Sequence, residues 1–464
     1  MFIGKTESVC PVCLRRLSAD KVIGPDDNIY LEKTCPDHGK FSTLIWEGSF
    51  SSYLRWNRNS AVSEPPVDPK PKDKGCPEDC GLCGEHLRKG CCMLLELTNR
   101  CNLHRPVCFA SAGEQAAWDL SMDQIEQQYD FLMAHGGPFN IQLSGGEPTM
   151  REDLPQIIRL GRKKGFTFFQ LNTNGLKLAE SAEYCAQLAQ AGLNTVFLQF
   201  DGLTDAVYIT LRGRPLLEIK KKAIANCAAA GLGVVLVPVI APGVNEDQIG
   251  ALLDFAIENM PDVRGVHFQP ISYFGRCELT PPANRITIPR MLRHMEEQTQ
   301  GRMKAADFGG GGAENPYCSF HASYMRKPDG TLKPLAQKSS QCCCTTSDDS
   351  RQFVANQWSG AEKQSCCAPE PEPQQSCCCG GEPPKQVYVE EAKASMVEVS
   401  SLDEFLEQAR LNTLAVSGMV FQDAWNLDLD RLRRCYICQV DSRYGMVPFC
   451  AYNLTNMEGK SIYR

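Results

Sequence analysis

The stretch CNLHRPVCFA, residues 101–110, decides how the rest of the chain is read. An apolar run, MLLELTNR at 93–100, leads into it as a strand leads into a loop. A thiol at position 105, between Cys101 and Cys108, would complete C-x3-C-x2-C, the spacing with which one loop offers three thiolates to an iron–sulfur cluster. Position 105 is arginine. A guanidinium stays protonated and has no lone pair for iron, so Arg105 cannot replace a thiolate. The stretch is either a cluster loop short of one ligand or two unrelated cysteines, and the flanking sequence has to decide.

Outward from it, strands and helices alternate from 93 to about 275. Strand candidates are 93–98, 139–144, 166–173, 195–201, 233–240 and 265–271, and helical patterns fill 121–135, 152–164, 180–191, 215–230 and 246–259. Asp153 and Ser181 stand where N-caps would, and Gly165, Gly192 and Gly231 where helices would stop. Continuous apolar strands separated by helices predict an α/β fold, a parallel sheet covered by helices. Six such units predict a partial (β/α)6 TIM-like barrel; a full eight-unit barrel is not legible. Parallel α/β folds place their chemistry at the carboxyl ends of the strands. CNLHRPVC, SGGEP (144–148), NTNG (172–175) and DG (201–202) all fall there. Glycines let backbone approach a ligand closely, and a carboxylate beside them accepts from an ammonium group. One such loop is weak evidence; four at the same end are strong.

On these residues the chain resembles the radical S-adenosylmethionine (radical SAM) superfamily, over roughly 93–275. LTNRCNL looks like the cluster loop, LSGGEPT like the segment contacting the methionine amino group, and NTNG and LQFDG like the loops lining ribose, carboxylate and substrate. The resemblance implies a 4Fe-4S cluster held by three thiolates, whose open iron binds the amino and carboxylate groups of SAM, and whose reduction releases a 5′-deoxyadenosyl radical. It implies that Cys101 and Cys108 are cluster ligands. It places Gly145, Gly146 and Glu147 at the SAM amino end, and Asn172, Asn174, Gln199 and Asp201 along cofactor and substrate. Arg212, in TLRGRP, meets the SAM carboxylate or is a surface salt bridge. No catalytic residue is assigned. CPEDCGLCGEH at 76–86 and the C-terminal CYIC…VPFCAYN are similar to tetraether lipid synthase-like radical SAM proteins and to a bacterial radical SAM (seleno)protein group, some of whose members use selenocysteine.

Cysteine is the unusual term of the composition: 25 in 464 residues. No secretory segment precedes them and no run approaches a membrane span, so the expected location is cytoplasmic. There, grouped cysteines more often bind metal or do redox chemistry than form disulfides. A net charge of −7 argues against a nucleic-acid surface. Residues 1–60 read as a rubredoxin- or zinc-knuckle-like domain, with Cys10, Cys13, Cys35 and His38 at ligand spacing for zinc or mononuclear iron. A Pro/Lys-rich linker opens 61–92, which ends on Cys76, Cys80 and Cys83 at intact C-x3-C-x2-C spacing, with Cys91 or Cys92 as fourth ligand. That group reads as an auxiliary cluster, or a structural zinc. The core takes 93–310 and a connection carrying Cys318 takes 311–336. Residues 337–390 read as mostly disordered, their CCC and CC runs either capturing soft ions or drifting in a linker. The Cys-rich α+β extension, 391–464, starts with an amphipathic helix over 399–412. It holds Cys435, Cys438 and Cys450, which with Cys318 form a second auxiliary group. Isolated Cys185, Cys227 and Cys277 read as inert core cysteines.

Three readings of Arg105 stay open: a degenerate non-catalytic member, a substitution in an active parent, or a position that is selenocysteine in the natural protein. Intact SGGEP, NTNG and LQFDG favour the last two. The expected activity is hydrogen abstraction from an unactivated carbon, leading to methylation or carbon–carbon bond formation. The expected partners are a small-molecule or lipid substrate and an electron donor such as flavodoxin or ferredoxin. The alternative is a non-catalytic iron–sulfur, soft-metal-binding or electron-transfer protein on the same scaffold.

Overall fold

The computed structural model describes residues 1–57, 63–113, 116–277, 279, 285–311, 314–335, 347–359 and 409–464. The first sheet is an antiparallel meander, β1 (Phe2–Val9), β2 (Arg16–Ile23), β3 (Ile29–Cys35) and β4 (Gly39–Trp46). A meander returns every second turn to the same edge, so the β1–β2 turn with Cys10 and Cys13 meets the β3–β4 turn with Cys35 and His38. Strand β3 also anchors the meander to the C-terminal region. Lys33 is buried, and its Nζ donates to Ser8 Oγ at 2.9 Å and to the carbonyls of Ala424 and Trp425 at 2.7 and 2.9 Å.

The following strands are β5 (Cys92–Glu96), the two-residue β6 (Val107–Cys108), β7 (Asn140–Ser144), β8 (Phe169–Thr173), β9 (Thr195–Gln199), β10 (Gly233–Val237), β11 (Val239–Ile240), β12 (Val263–Pro270) and β13 (Arg276–Cys277). Then come β14 (Ser319–Arg326), β15 (Leu332–Pro334), β16 (Thr413–Met419), β17 (Ile437–Asp441) and β18 (Gly445–Pro448). The six expected strands lie side by side, parallel and in chain order, β5-β7-β8-β9-β10-β12. The helices between them bury apolar faces on the sheet, as in Ala182–Ala191, where Ser181 caps Tyr184 N and Gly192 ends the helix at φ +99°. Asp153 does not cap its helix. Its carboxylate instead takes the Arg151 guanidinium at 2.8 and 2.7 Å.

Two features differ from the sequence expectation. The C-terminal extension completes the main sheet rather than standing beside it: β16 pairs parallel with β12 and β17 parallel with β5, giving eight parallel strands flanked by β14–β15 and β18. Gly265 admits β16, since a Cβ there would meet Ala415 O at 2.6 Å. Residues 337–390, expected as mostly disordered apart from a short central run, contain the helix Ser347–Trp358. That helix lies at the amino-terminal ends of the strands: Arg351 stacks 5.6 Å over Phe139, its carbonyl accepts from Asn140 Nδ2 at 3.1 Å, and Trp358 packs 4.8 Å from Phe197. The Cys runs on either side of it, and most of the helix expected over 399–412, fall outside the described residues. Among the described residues no helix is long and apolar enough to cross a membrane.

Candidate active site

The loops at the carboxyl ends are locked to one another before any ligand enters. Gly146 N donates to Thr98 O at 2.7 Å and Glu147 N to Arg100 O at 2.8 Å, so SGGEP lies directly against the cluster loop. A Cβ on Gly146 would stand 2.2 Å from Arg100 O, which requires glycine there. Glu147, expected to meet an ammonium group, braces the loops. Its Oε1 accepts from Thr149 N, Thr149 Oγ1 and Thr173 Oγ1 at 3.2, 2.7 and 2.7 Å, and its Oε2 from Asn174 N at 2.7 Å. Asn174 reaches on to the cluster loop, donating from Nδ2 to Asn102 Oδ1 at 2.7 Å.

Arg212 is not at the surface. It is buried with Asp201 and donates to it twice, Nε to Oδ2 at 2.7 Å and Nη2 to Oδ1 at 2.6 Å. The helix Asp205–Arg212 turns back over the end of β9 and brings the two together. Removing one partner of such a buried pair strands a charge and costs about 3–5 kcal/mol. Asp201→Asn is therefore expected to lower the urea midpoint sharply at unchanged slope, and a midpoint equal to the parent's would contradict this role. Lys220, which sequence reading passed over, is buried beneath the same loops and donates to Asn174 O. Burial pushes its ammonium down to about 7, against the pull of Asp201. Its signal was present: Leu217, Lys220, Ile224 and Cys227 share one helical face.

Inside the barrel is a cavity of about 150 Å³, lined among others by Arg105, Gln142, Asn172, Gln199 and His267. Asn172 Nδ2 donates to Gln142 Oε1 at 3.3 Å, and Gln199 Oε1 is buried without a partner. His267 bonds Ser417 Oγ through Nδ1 at 2.9 Å, and burial lowers its pKa to about 4, so the ring is neutral. A larger cavity of about 660 Å³, between Thr98, Gly145, Tyr452 and Arg464, has none of these amides in its walls.

Arg105 itself is buried at the cavity mouth, and its Nη2 donates to Cys108 Sγ at 3.2 Å. Burial pushes the Cys108 thiol up, but Arg105 and the backbone N–H groups of Ala112 and Ala110 hold it below its ordinary value. Burial raises Cys101, with Arg105 opposing.

The remaining cysteines divide into groups. Cys10, Cys13, Cys35 and His38 bring one donor atom each within 4.8 Å of one another, the only such set among the described residues. Burial pushes the Cys35 thiol up, but His38, whose Nδ1 is 3.4 Å from Sγ, and local backbone N–H groups hold it at about 6. Three thiols and an imidazole at these separations fit one tetrahedral ion. Cys76 and Cys80 are buried with their sulfurs 4.0 Å apart, and Cys83 is buried on the same loop. The β5–β17 pairing places Cys92 and Cys91 beside Cys438. Cys318 accepts from Arg431 Nε at 3.4 Å, Cys450 from Gln422 N at 3.2 Å, and Cys435 donates to Ile437 O at 3.3 Å. Cys185 and Cys227, read as isolated, are buried free thiols close enough to interact with each other.

The radical SAM superfamily profile matches residues 95–256, and the profile of the HMPTM N-terminal zinc ribbon domain matches residues 2–47. The chain is 34% identical over 474 residues to a 7,8-dihydro-6-hydroxymethylpterin dimethyltransferase of Methanocaldococcus jannaschii, covering 97% of this chain and 93% of that protein. The chain belongs to the radical SAM superfamily. It is also 27% identical over 270 residues to a probable GTP 3′,8-cyclase of Methanothermobacter thermautotrophicus, covering 54% of this chain and 85% of that one. Among solved structures it is similar to Streptococcus suis SuiB bound to S-adenosylmethionine, at 18% identity and a TM-score of 0.38, over 46% of this chain and 47% of that one. The matched region contains the loops at the carboxyl ends of β5, β7, β8 and β9. Its donor set at residues 101–108, two thiols and a guanidinium bonded to one of them, does not fit the superfamily's three-thiolate cluster.

Proposed function

We propose that the barrel binds SAM and a pterin-like heterocycle, and that the enzyme is built to methylate that heterocycle. The likeness to the pterin dimethyltransferase carries this reading, because it runs through the ribbon, barrel and C-terminal strands alike. The cavity chemistry agrees with it. A pterin edge alternates amide-like donors and acceptors, and Gln142, Asn172, Gln199 and the neutral His267 offer both, with Phe197 as an apolar wall. Gly145, Gly146 and Asn174 position SAM beside Cys101 and Cys108. The ribbon ligands Cys10, Cys13, Cys35 and His38 hold zinc, while Cys76, Cys80 and Cys83, and Cys435, Cys438 and Cys450 with Cys318, serve auxiliary iron.

The reading is tested without any radical step. Titrating the protein with 7,8-dihydro-6-hydroxymethylpterin, followed by ligand fluorescence, is expected to give saturable binding. Gln199→Ala is expected to weaken it about tenfold or more, since one lost buried hydrogen bond costs about 1–3 kcal/mol. Absence of saturable pterin binding would refute the substrate assignment.

A further inference from the structure

We propose that Arg105 anchors the α-carboxylate of the SAM methionine, a cation standing where the superfamily places an iron. The inference rests on the reading that these loops bind SAM. Arg105 is 3% exposed, and it lines the barrel cavity. A guanidinium carries five N–H donors. Here Nη2 is engaged by Cys108, while Nε is buried with no partner. A planar fork of N–H donors matches a carboxylate bidentately. Cys108, Cys101, Glu147 and Asp201 all act electrostatically on Arg105, so part of its charge is already offset, which suits a single carboxylate better than a phosphate dianion. The arginine therefore reshapes the loop from a redox site into a binding site for an intact amino-acid moiety.

The experiment is calorimetric titration of the full chain, zinc-loaded and purified without iron. The probes are SAM and 5′-methylthioadenosine, which shares the nucleoside and thioether but lacks the amino acid. The parent is expected to bind SAM more tightly than methylthioadenosine. Arg105→Ala should weaken SAM binding tenfold or more while leaving methylthioadenosine within twofold, and Arg105→Lys should retain more SAM affinity than alanine does. Equal SAM affinity in parent and Arg105→Ala would overturn the proposal, as would a parent that binds the two probes alike. Loss of both ligands in the alanine and lysine variants would assign Arg105 to loop packing and overturn it as well. A parent that binds neither probe would refute the SAM site itself, whereas binding of methylthioadenosine alone would refute only the role of Arg105.

Discussion

Arg105→Cys, reconstituted anaerobically with iron and sulfide, is expected to hold about four more iron atoms per chain than the parent, the content of one 4Fe-4S cluster. The reason is local. SGGEP holds the backbone leading into the loop, through Gly146 N on Thr98 O and Glu147 N on Arg100 O, and Asn174 holds Asn102, so a third thiol enters a loop already anchored at its start. Removing the guanidinium also frees Cys108, which it now engages at 3.2 Å. With SAM and a strong reductant, the variant is expected to form 5′-deoxyadenosine and the parent none. The effect is all-or-none because a missing thiolate is not compensated by a neighbour: Cys91 and Cys92 lie beside Cys438 in the sheet. Equal iron content in both proteins would contradict this account.

Removing the ribbon metal is the second large effect. Cys35→Ser takes one of the four donors within 4.8 Å and is expected to abolish stoichiometric zinc binding. Structural zinc contributes folding energy directly, and without it the two turns at that edge have only their own short hydrogen-bonded loops to hold them. The consequence reaches the barrel, because the ribbon is tied to the C-terminal region. Lys33 donates to Ala424 O and Trp425 O, Thr6 Oγ1 to Asp428 Oδ1 at 2.6 Å, and Lys21 pairs with Asp428 at 2.7 Å. A fall in Tm of about 3–5 °C is expected by calorimetry, because a loss of a few kcal/mol moves the midpoint of a 464-residue chain by about 1 °C per kcal/mol. Zinc affinity should weaken as pH falls, because the Cys35 thiol, held at about 6, and the Cys10 thiol, pushed up by burial, must both shed protons to bind the ion. An unchanged Tm in a zinc-free Cys35→Ser protein would refute the structural role.

The barrel was legible because its strands are short, continuous apolar runs, such as 233–237, with helices of regular period between them. The ribbon was legible because four ligands at two-residue spacing fall in two turns, and an antiparallel meander brings those turns together. The strands β16 and β17 were not legible as barrel strands, since a long Cys- and Pro-rich segment separates them from their partners, and parallel pairing leaves no local turn to read. The helix Ser347–Trp358 was hidden by its polar composition; it is held by Arg351 and Trp358 on surfaces far away in sequence. At the site, the loops could be read but their wiring could not. Glu147 reads as a ligand contact, and nothing in the pattern shows that Thr149, Thr173 and Asn174 also hydrogen-bond to it. Arg212 looks exposed until the turn after β9 buries it on Asp201. Side-chain pairing across loops depends on three-dimensional placement that a linear pattern does not carry.

On the proposed function, one residue, Arg105, separates a SAM-binding scaffold from a cluster able to engage SAM. Electron paramagnetic resonance of the reduced, reconstituted protein tests this most directly, because SAM binding at an open iron changes the cluster signal, and comparing the two proteins cancels the contribution of auxiliary iron. The account predicts no SAM-induced change in the Arg105 protein and a clear one in Arg105→Cys. A SAM-perturbed cluster signal in the Arg105 protein would contradict it.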